Sequence, residues 1–408
     1  MRSKEFKRLI GELARAAAPV EPRCRHAVEC GGCAFQDRAY EGQVAAKQQA
    51  LGRLFAEGGI LDQAAAAAFT VVPSPEPYNY RTRMDYVATK GRFGLRARGK
   101  FNYIVELEEC HLIPPAGFAA AKAVWLAARE LGLPDYNIRS HEGFLRYVVV
   151  RRSPADELLL AAVTAAGPYE AEMERLAEVA LAQPGVVGFH WLLNDSLTDL
   201  SFGEPLRHWG AAELSMGSAL TIGPNTFFQN NTHLLGRLLD DLLAAVLGWN
   251  ASDKSEPLSA GAGRPSAVMD LYGGVGTIAL HLAPHVERVI CVESVQESVE
   301  LARRNAARSG AANVEAVGLD VLPFLREQAE GAFAVAVADP PRTGLGPDVC
   351  AELLRVAPSR IVYVSCNPLT QLEDLKALAE HYELVNLCGY DMFPHTPHVE
   401  TIAVLDRR

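Results

Sequence analysis

"AVMDLYGGVGTIAL", residues 267–280, is the stretch on which the fold turns. A short apolar run ends in a turn rich in glycine, and a helix-forming segment opens directly behind it, so the order reads strand, tight turn, helix. Gly273, Gly274 and Gly276 let the backbone turn sharply and approach a ligand closely. Such a turn serves phosphate binders and dinucleotide enzymes, and also plain strand-to-helix junctions. Its surroundings must decide.

Downstream, strands and helices alternate. "RVICVES" (288–294), "VEAVGLD" (314–320), "FAVAVADPP" (333–341), "RIVYVSCNP" (360–368) and "ELVNLCGYDMF" (383–393) read as strands. "QESVELARRNAARSG" (296–310), "DVCAELLRVA" (348–357) and "LTQLEDLKALAEHY" (369–382) read as helices between them. This predicts an α/β, doubly wound, Rossmann-like domain that binds ligands at the carboxyl ends of its strands. Ahead of it, "THLLGRLLDDLLAAVLGW" (232–249) has the three-four spacing of an amphipathic helix, and "NASDKSEPLSAGAGRPS" (250–266) has the composition of a flexible surface loop.

The first half of the chain differs. A helix at the start gives way to the cysteine-rich "CRHAVECGGCAFQ" (24–36) and a helical stretch over 40–68, and Pro73, Pro75 and Pro77 then break the chain. Residues 81–210 are mostly strand, as in "MDYVATK", "YIVELEEC", "FLRYVVVRRS" and "LLLAAVTAA". Two helices interrupt them, over 118–132 and 169–183. The predicted division is an N-terminal helix or tail over 1–20, a β-rich domain over 21–215 and the Rossmann-like domain over 216–408.

The net charge of −10 argues against a protein coated in nucleic acid, but residues 81–100 carry seven Lys or Arg against one Asp, with Tyr86 and Phe93 among them. That strip is either a solvated hairpin face or a surface that tracks phosphates. No apolar run is long enough for a bilayer and the start lacks the pattern of a secretory signal, so the cytoplasm is expected.

The chemistry-bearing residues gather at strand ends. Glu293 closes the second strand, where an acid commonly holds ribose hydroxyls, and Asp320 follows the third, placed to accept from a base amino group. The spacing suits an S-adenosylmethionine pocket better than a dinucleotide, because the turn is not strictly G-x-G-x-x-G. In "ADPPRTGL" (338–345) two prolines stiffen the loop after Asp339. Adenine amino-methyltransferases have a similar loop but carry an aromatic residue where this chain has Arg342. One strand later Cys366 sits at a strand mouth between Ser365 and Asn367, a place for a nucleophilic thiolate, whereas Cys291, Cys350 and Cys388 read as buried apolar side chains. Cys24, Cys30 and Cys33 with a remote Cys110 fit a structural zinc or an iron–sulfur site, and His395, His398 and Glu400 in "PHTPHVE" (394–400) are a further metal reading.

Taken together, "FFQN" (227–230), "DLYGGVGT", "DPPRTGL", "SCNP" and "PHTPHVE", in that order, resemble the RNA uracil-5-methyltransferase family, which makes 5-methyluridine in ribosomal and transfer RNA. The resemblance runs from Cys24 to the end. It implies that Cys366 adds to carbon 6 of uracil and that Glu400 removes the carbon 5 proton. It implies that Gln229, Tyr272, Thr277, Glu293, Asp320 and Asp339 serve the S-adenosylmethionine site, Gln229 and Asp339 at its junction with a flipped base. It also moves Cys24, Cys30, Cys33 and Cys110 to a [4Fe–4S] cluster in an RNA-binding domain. Relatives often have a cysteine where Gly273 stands, a change in a turn rather than in a catalytic group. With about twenty residues before Cys24, the N-terminal β-barrel of some relatives is not expected. RNA contacts would then fall to the cysteine-rich domain. A monomer acting on RNA is expected, 23S ribosomal RNA favoured over transfer RNA. An amino-methyltransferase and a non-catalytic RNA-binding iron–sulfur protein are the competing readings.

Overall fold

The computed structural model describes residues 2–217, 219–250, 253–257 and 265–408. The chain divides into two units, neither continuous in sequence: Met1–Ala18, Arg38–Pro75 and His233–Arg408 form one, Pro19–Asp37 and Glu76–Thr232 the other.

The first unit holds an eight-stranded sheet. Val314–Gly318, Val289–Glu293, Val268–Leu271, Val335–Ala338 and Arg360–Ser365 lie side by side in that order, all parallel. This is the doubly wound arrangement the alternation predicts. Val268–Leu271 is buried along its whole length, as a strand covered on both faces must be. Helix Thr232–Leu247 adds Leu234, Leu238 and Leu242 to a core with Val289, Val335 and Val362.

The last strand was not legible. Glu400–Arg407 enters antiparallel between Arg360–Ser365 and Tyr382–Tyr390, with Ser365 opposite Thr401. The short return after Tyr390 permits the antiparallel pairing, since a parallel partner would need a long crossover. At the far edge Val71–Val72 pairs parallel with Gly389 and Tyr390.

Residues assigned by sequence to the tail and the cysteine-rich domain therefore belong to this first unit. Helix Tyr40–Glu57 shows why. Lys47 has no exposed side-chain surface, its Nζ lies 2.5 Å from Asp391 Oδ1, and it also donates to the Phe393 carbonyl at 3.2 Å. Tyr40 donates to the other Asp391 oxygen at 2.9 Å. The predicted helix over 40–68 is broken after Glu57 by a turn with Gly59 at φ +77°, and a short helix Gln63–Ala67 follows, capped by Asp62.

The second unit is a seven-stranded sheet in the order Lys100–Glu106, Arg92–Ala97, Arg83–Thr89, Leu145–Arg152, Leu158–Thr164, Val186–Leu193, Glu204–Gly210. All pairs are antiparallel except Leu158–Thr164 with Val186–Leu193. Helices Pro115–Glu130 and Glu170–Leu181 supply Val124, Trp125, Met173 and Leu176 to the core with Tyr86, Phe93, Val148 and Leu160. Tyr86 and Phe93, which the sequence placed within a basic strip, are wholly buried. In the expected loop over 250–266, Asp253–Pro257 pairs with Trp249–Asn250, and residues 251–252 and 258–264 lie outside the described residues. Among the described residues no helix is long and apolar enough to cross a membrane.

Removing one member of the buried Lys47–Asp391 pair leaves an uncompensated charge and should cost about 3–5 kcal/mol. Lys47→Ala should therefore lower urea stability by that amount. Replacing both members with apolar residues should cost less than either single change.

Candidate active site

The glycine turn is built as a ligand cradle. Val268–Leu271 ends in Tyr272, a non-glycine residue at φ +64°, and Gly274 and Gly276 follow at +55° and +86° before helix Thr277–Leu282 begins. A left-handed tyrosine is strained and persists only where surroundings impose it. A Cβ on Gly273 would meet Cys291 Sγ at 2.4 Å and Asp270 Oδ2 at 3.0 Å, so glycine is required here by what fills the space beneath it.

Two carboxylates hold this turn. Glu293, expected to grip a ribose, accepts from Gly274 N–H at 3.0 Å and from Val295 N–H at 2.7 Å, which braces the turn and the end of its own strand. Asp270 was missed by the sequence reading. It is fully buried, accepts from Ala279 N–H at 3.0 Å, and leaves Oδ1 without a partner. Burial pushes its carboxyl up to about 8, with Asp339 and Glu293 adding to the rise. An acid directly before a glycine turn was the only signal that could have singled it out. Tyr272 and Thr277 are half-buried beside the turn, and Asp320 is exposed at the start of helix Val321–Arg326.

One strand over, Asp339 donates its backbone N–H to the Leu271 carbonyl at 3.2 Å, joining the prolyl loop to the glycine turn. Its side chain is half-buried, while that of Arg342 is exposed. Cys366 and Glu400 meet because Ser365 pairs with Thr401, which puts the next residue of one strand level with the preceding residue of the other. The mouth is held tightly. Ser365 Oγ accepts from Asn367 N–H and donates to Asn367 O, each at 3.1 Å, and Thr401 Oγ1 donates to Gln371 at 2.7 Å. Asn367 Nδ2 reaches across to the Arg342 carbonyl at 2.8 Å.

Burial and neighbouring charges act on both groups. Burial and then the nearby Glu400 push the Cys366 thiol up to about 11, while Arg342, hydrogen-bonded to it, acts in the other direction. Burial and Asp339 hold the Glu400 carboxyl well above the usual carboxylate range, again opposed by Arg342. Glu400 is 4% exposed and its Oε2 has no hydrogen-bond partner, an exception among buried polar groups. Gln229 lies in the other unit, where its carbonyl accepts from Thr82 Oγ1 at 3.1 Å.

The metal expectations fare differently. Among the described residues no group of three or more His, Cys, Asp or Glu is arranged to hold a metal ion. His395 is turned instead toward Gln43, whose Nε2 lies 3.2 Å from its Nδ1, so "HTPHVE" is a structural turn leading to Glu400. Cys24, Cys30, Cys33 and Cys110 are all buried and line one small cavity of the second unit. Burial raises each of these thiols, Cys30 to about 11 and Cys33 to about 12. The structure therefore supplies the four sulfurs but not a formed metal centre. Cys291 and Cys350 are buried as expected, and Cys388 is half-buried with its thiol 3.5 Å from the Tyr390 hydroxyl.

A family model described as tRNA (Uracil-5-)-methyltransferase matches residues 258–408. An uncharacterized RNA methyltransferase of Caldanaerobacter subterraneus is 32% identical over 98% of this chain and 88% of its own length. The chain belongs to the RNA uracil-5-methyltransferase family. The tRNA (uracil(54)-C(5))-methyltransferase of Pyrococcus horikoshii is 31% identical over 95% of this chain and 86% of its own. The crystal structure of the Pyrococcus abyssi tRNA (uracil-54, C5)-methyltransferase with S-adenosyl-L-homocysteine aligns with a TM-score of 0.75 at 31% identity. It covers 93% of this chain and 86% of that one. Family membership removes the amino-methyltransferase reading, in keeping with Arg342 in place of a stacking aromatic.

A second residue the sequence did not mark is Asp374, in helix Pro368–Leu378. It accepts from Leu345 N–H at 2.9 Å, Gly346 N–H at 3.1 Å and the Tyr363 hydroxyl at 2.6 Å. It thereby clamps the far end of the loop that carries Asp339 and Arg342. Asp374→Ala strands these buried donors and should lower stability by at least about 1–3 kcal/mol in urea titration. Methyl transfer should fall with it, and Asp374→Asn, which keeps an acceptor, should retain more of both. An alanine variant as stable and active as the parent would refute the clamp.

Proposed function

We propose that this methyltransferase acts on carbon 5 of a uridine in RNA through a covalent adduct between Cys366 and carbon 6 of the base, with S-adenosylmethionine as methyl donor. The observation that carries it is the pairing of Ser365 with Thr401, which sets a thiol beside a buried carboxyl with one unpartnered oxygen, both within reach of one arginine's charge. Carbon 5 of uracil is too weak a nucleophile to be methylated unaided, and covalent addition divides the reaction into easier steps. The Cys366 sulfur forms a bond to carbon 6, and the electron pair of the ring double bond moves toward the carbonyl at carbon 4. Arg342 favours the thiolate that begins this step. Bound S-adenosylmethionine would supply an electrophilic methyl group at carbon 5. Glu400 then takes the carbon 5 proton, the ring double bond reforms and the carbon–sulfur bond breaks. Burial makes this carboxylate a stronger base than an exposed one.

Tyr272, Thr277, Glu293 and Asp320 would hold the cofactor around the glycine turn, with Asp339 beside them. Gln229 joins this set through the resemblance of "FFQN" alone. Three similar proteins, from Pyrococcus horikoshii, Pyrococcus abyssi and Pyrococcus furiosus, are named tRNA (uracil(54)-C(5))-methyltransferases, which favours transfer RNA over the expected 23S ribosomal RNA. With 5-fluorouridine in the RNA, the parent enzyme should form a complex that survives denaturant, and Cys366→Ala should not. Glu400→Gln should accumulate a methylated adduct on ordinary uridine, since loss of a general base typically slows its step about 10²- to 10⁴-fold. Turnover by Cys366→Ala within tenfold of the parent would sink the mechanism. Parallel assays on unmodified transfer RNA and 23S ribosomal RNA decide the substrate.

We also propose a [4Fe–4S] cluster held by Cys24, Cys30, Cys33 and Cys110, a reading that rests on the resemblance and on the four sulfurs lining one cavity. Binding would displace the thiol protons and tie the 24–33 segment to Cys110, a cross-link rather than a catalytic part. Anaerobically purified protein should contain about four irons per chain, and Cys30→Ser should lose them. Zinc in place of iron would overturn this.

A further inference from the structure

The basic strip of the second unit is recast by its packing. Its two aromatic residues are core, while Phe101, Tyr103 and Phe202 stand out at 59%, 47% and 46% exposed. Each is backed by an arginine. The Arg96 guanidinium lies 3.9 Å from the Phe101 ring centre, that of Arg83 4.3 Å from Phe202, and that of Arg92 4.7 Å from Tyr103.

Two of these arginines are themselves fixed. Arg83 donates to Asp85 at 2.8 Å, to the Pro224 carbonyl at 2.9 Å and to the Ser201 carbonyl at 3.0 Å. Arg96 donates to the Phe101 carbonyl at 2.6 Å and to Asp199, which also accepts from Tyr147. Phe101 and Phe202 therefore line one open groove on rigid supports. Five cations (Arg81, Arg83, Arg96, Arg98 and Lys100) border it against only two carboxylates (Asp85 and Asp199), in a chain whose net charge is −10.

We propose that this groove binds an unpaired stretch of RNA, with bases stacking on Phe101 and Phe202 and a phosphate meeting Lys100. A flat ring with a cation fixed beside it offers an open π-face, which suits a nucleobase. Bases present that face only when unpaired, so a duplex does not fit. The local excess of positive charge selects a polyanion over an apolar protein segment. The groove deepens the proposed function by naming how the RNA is held away from the reacting uridine, and it rests on RNA being the substrate.

The test uses the full chain and a fluorescent twelve-nucleotide oligouridylate, with a duplex of equal length beside it. The parent should bind the single strand more tightly. Phe101→Ala and Phe202→Ala should each weaken it roughly 5- to 150-fold. Phe101→Trp should bind as the parent does, and Phe101→Leu should not. Lys100→Ala should flatten the salt dependence. With the RNA substrate, the alanine changes should raise KM and leave kcat nearly unchanged. Thermal melting confirms folding, since both rings are at the surface. Parent-like binding by the double alanine variant, a preference for duplex, or full rescue by Phe101→Leu, which would indicate an apolar protein patch, overturns the proposal. If these binding results hold while Cys366→Ala still methylates, the groove stands and the adduct mechanism alone fails.

Discussion

The antiparallel register between Arg360–Ser365 and Glu400–Arg407 is the constraint on which the candidate site depends. A strand repeats every second residue, so a slip of one position would turn Glu400 away from Cys366. Pairing from Ser365–Thr401 through Arg360–Asp406, closed by a bidentate Arg360–Asp406 ion pair at 2.6 and 2.8 Å, makes such a slip costly. The Cys366 thiol and the Glu400 carboxyl are thus set by backbone hydrogen bonds, the least adjustable part of the fold.

Around that pair the structure concentrates charge where water is scarce. Burial and the nearby Asp339 raise the carboxyls of both Asp270 and Glu400, and Arg342 opposes the rise at Glu400. Keeping Arg342 in place is therefore a structural task, shared by the Asp374 clamp at one end of its loop and Asn367 at its own carbonyl. The approach to Glu400 is anchored in turn. Asp391 and His395, in the return that precedes the last strand, are held by Lys47, Tyr40 and Gln43 of a helix far away in sequence. That anchoring explains why residues 38–75 belong with the catalytic unit.

What sequence could not place was decided by how the sheets fold. Tyr86 and Phe93 alternate with Arg83 and Arg92 along two strands, and alternation sends neighbours to opposite faces. The sequence showed the mixture; the sheet sent the aromatic residues into the core and left Phe101 and Phe202, one of them far outside the strip, at the surface. Glu293, expected to face a ribose, also braces the glycine turn and the end of its own strand through its two oxygens. Asp374 looked like one more polar residue in an amphipathic helix, because its partners are backbone groups that no side-chain pattern encodes.

What the sequence alone determined is the order of strand and helix, the glycine turn and the chemistry of the motif residues. Those properties are local: periodicity, turn propensity and side-chain type are all carried within a few consecutive positions. The tertiary structure alone decided that the final segment is an inserted antiparallel strand, that the first unit gathers three stretches of chain, and which arginines back exposed rings. These rest on pairing between residues far apart in sequence. Their energies come from burial and register, which exist only once the chain has closed on itself.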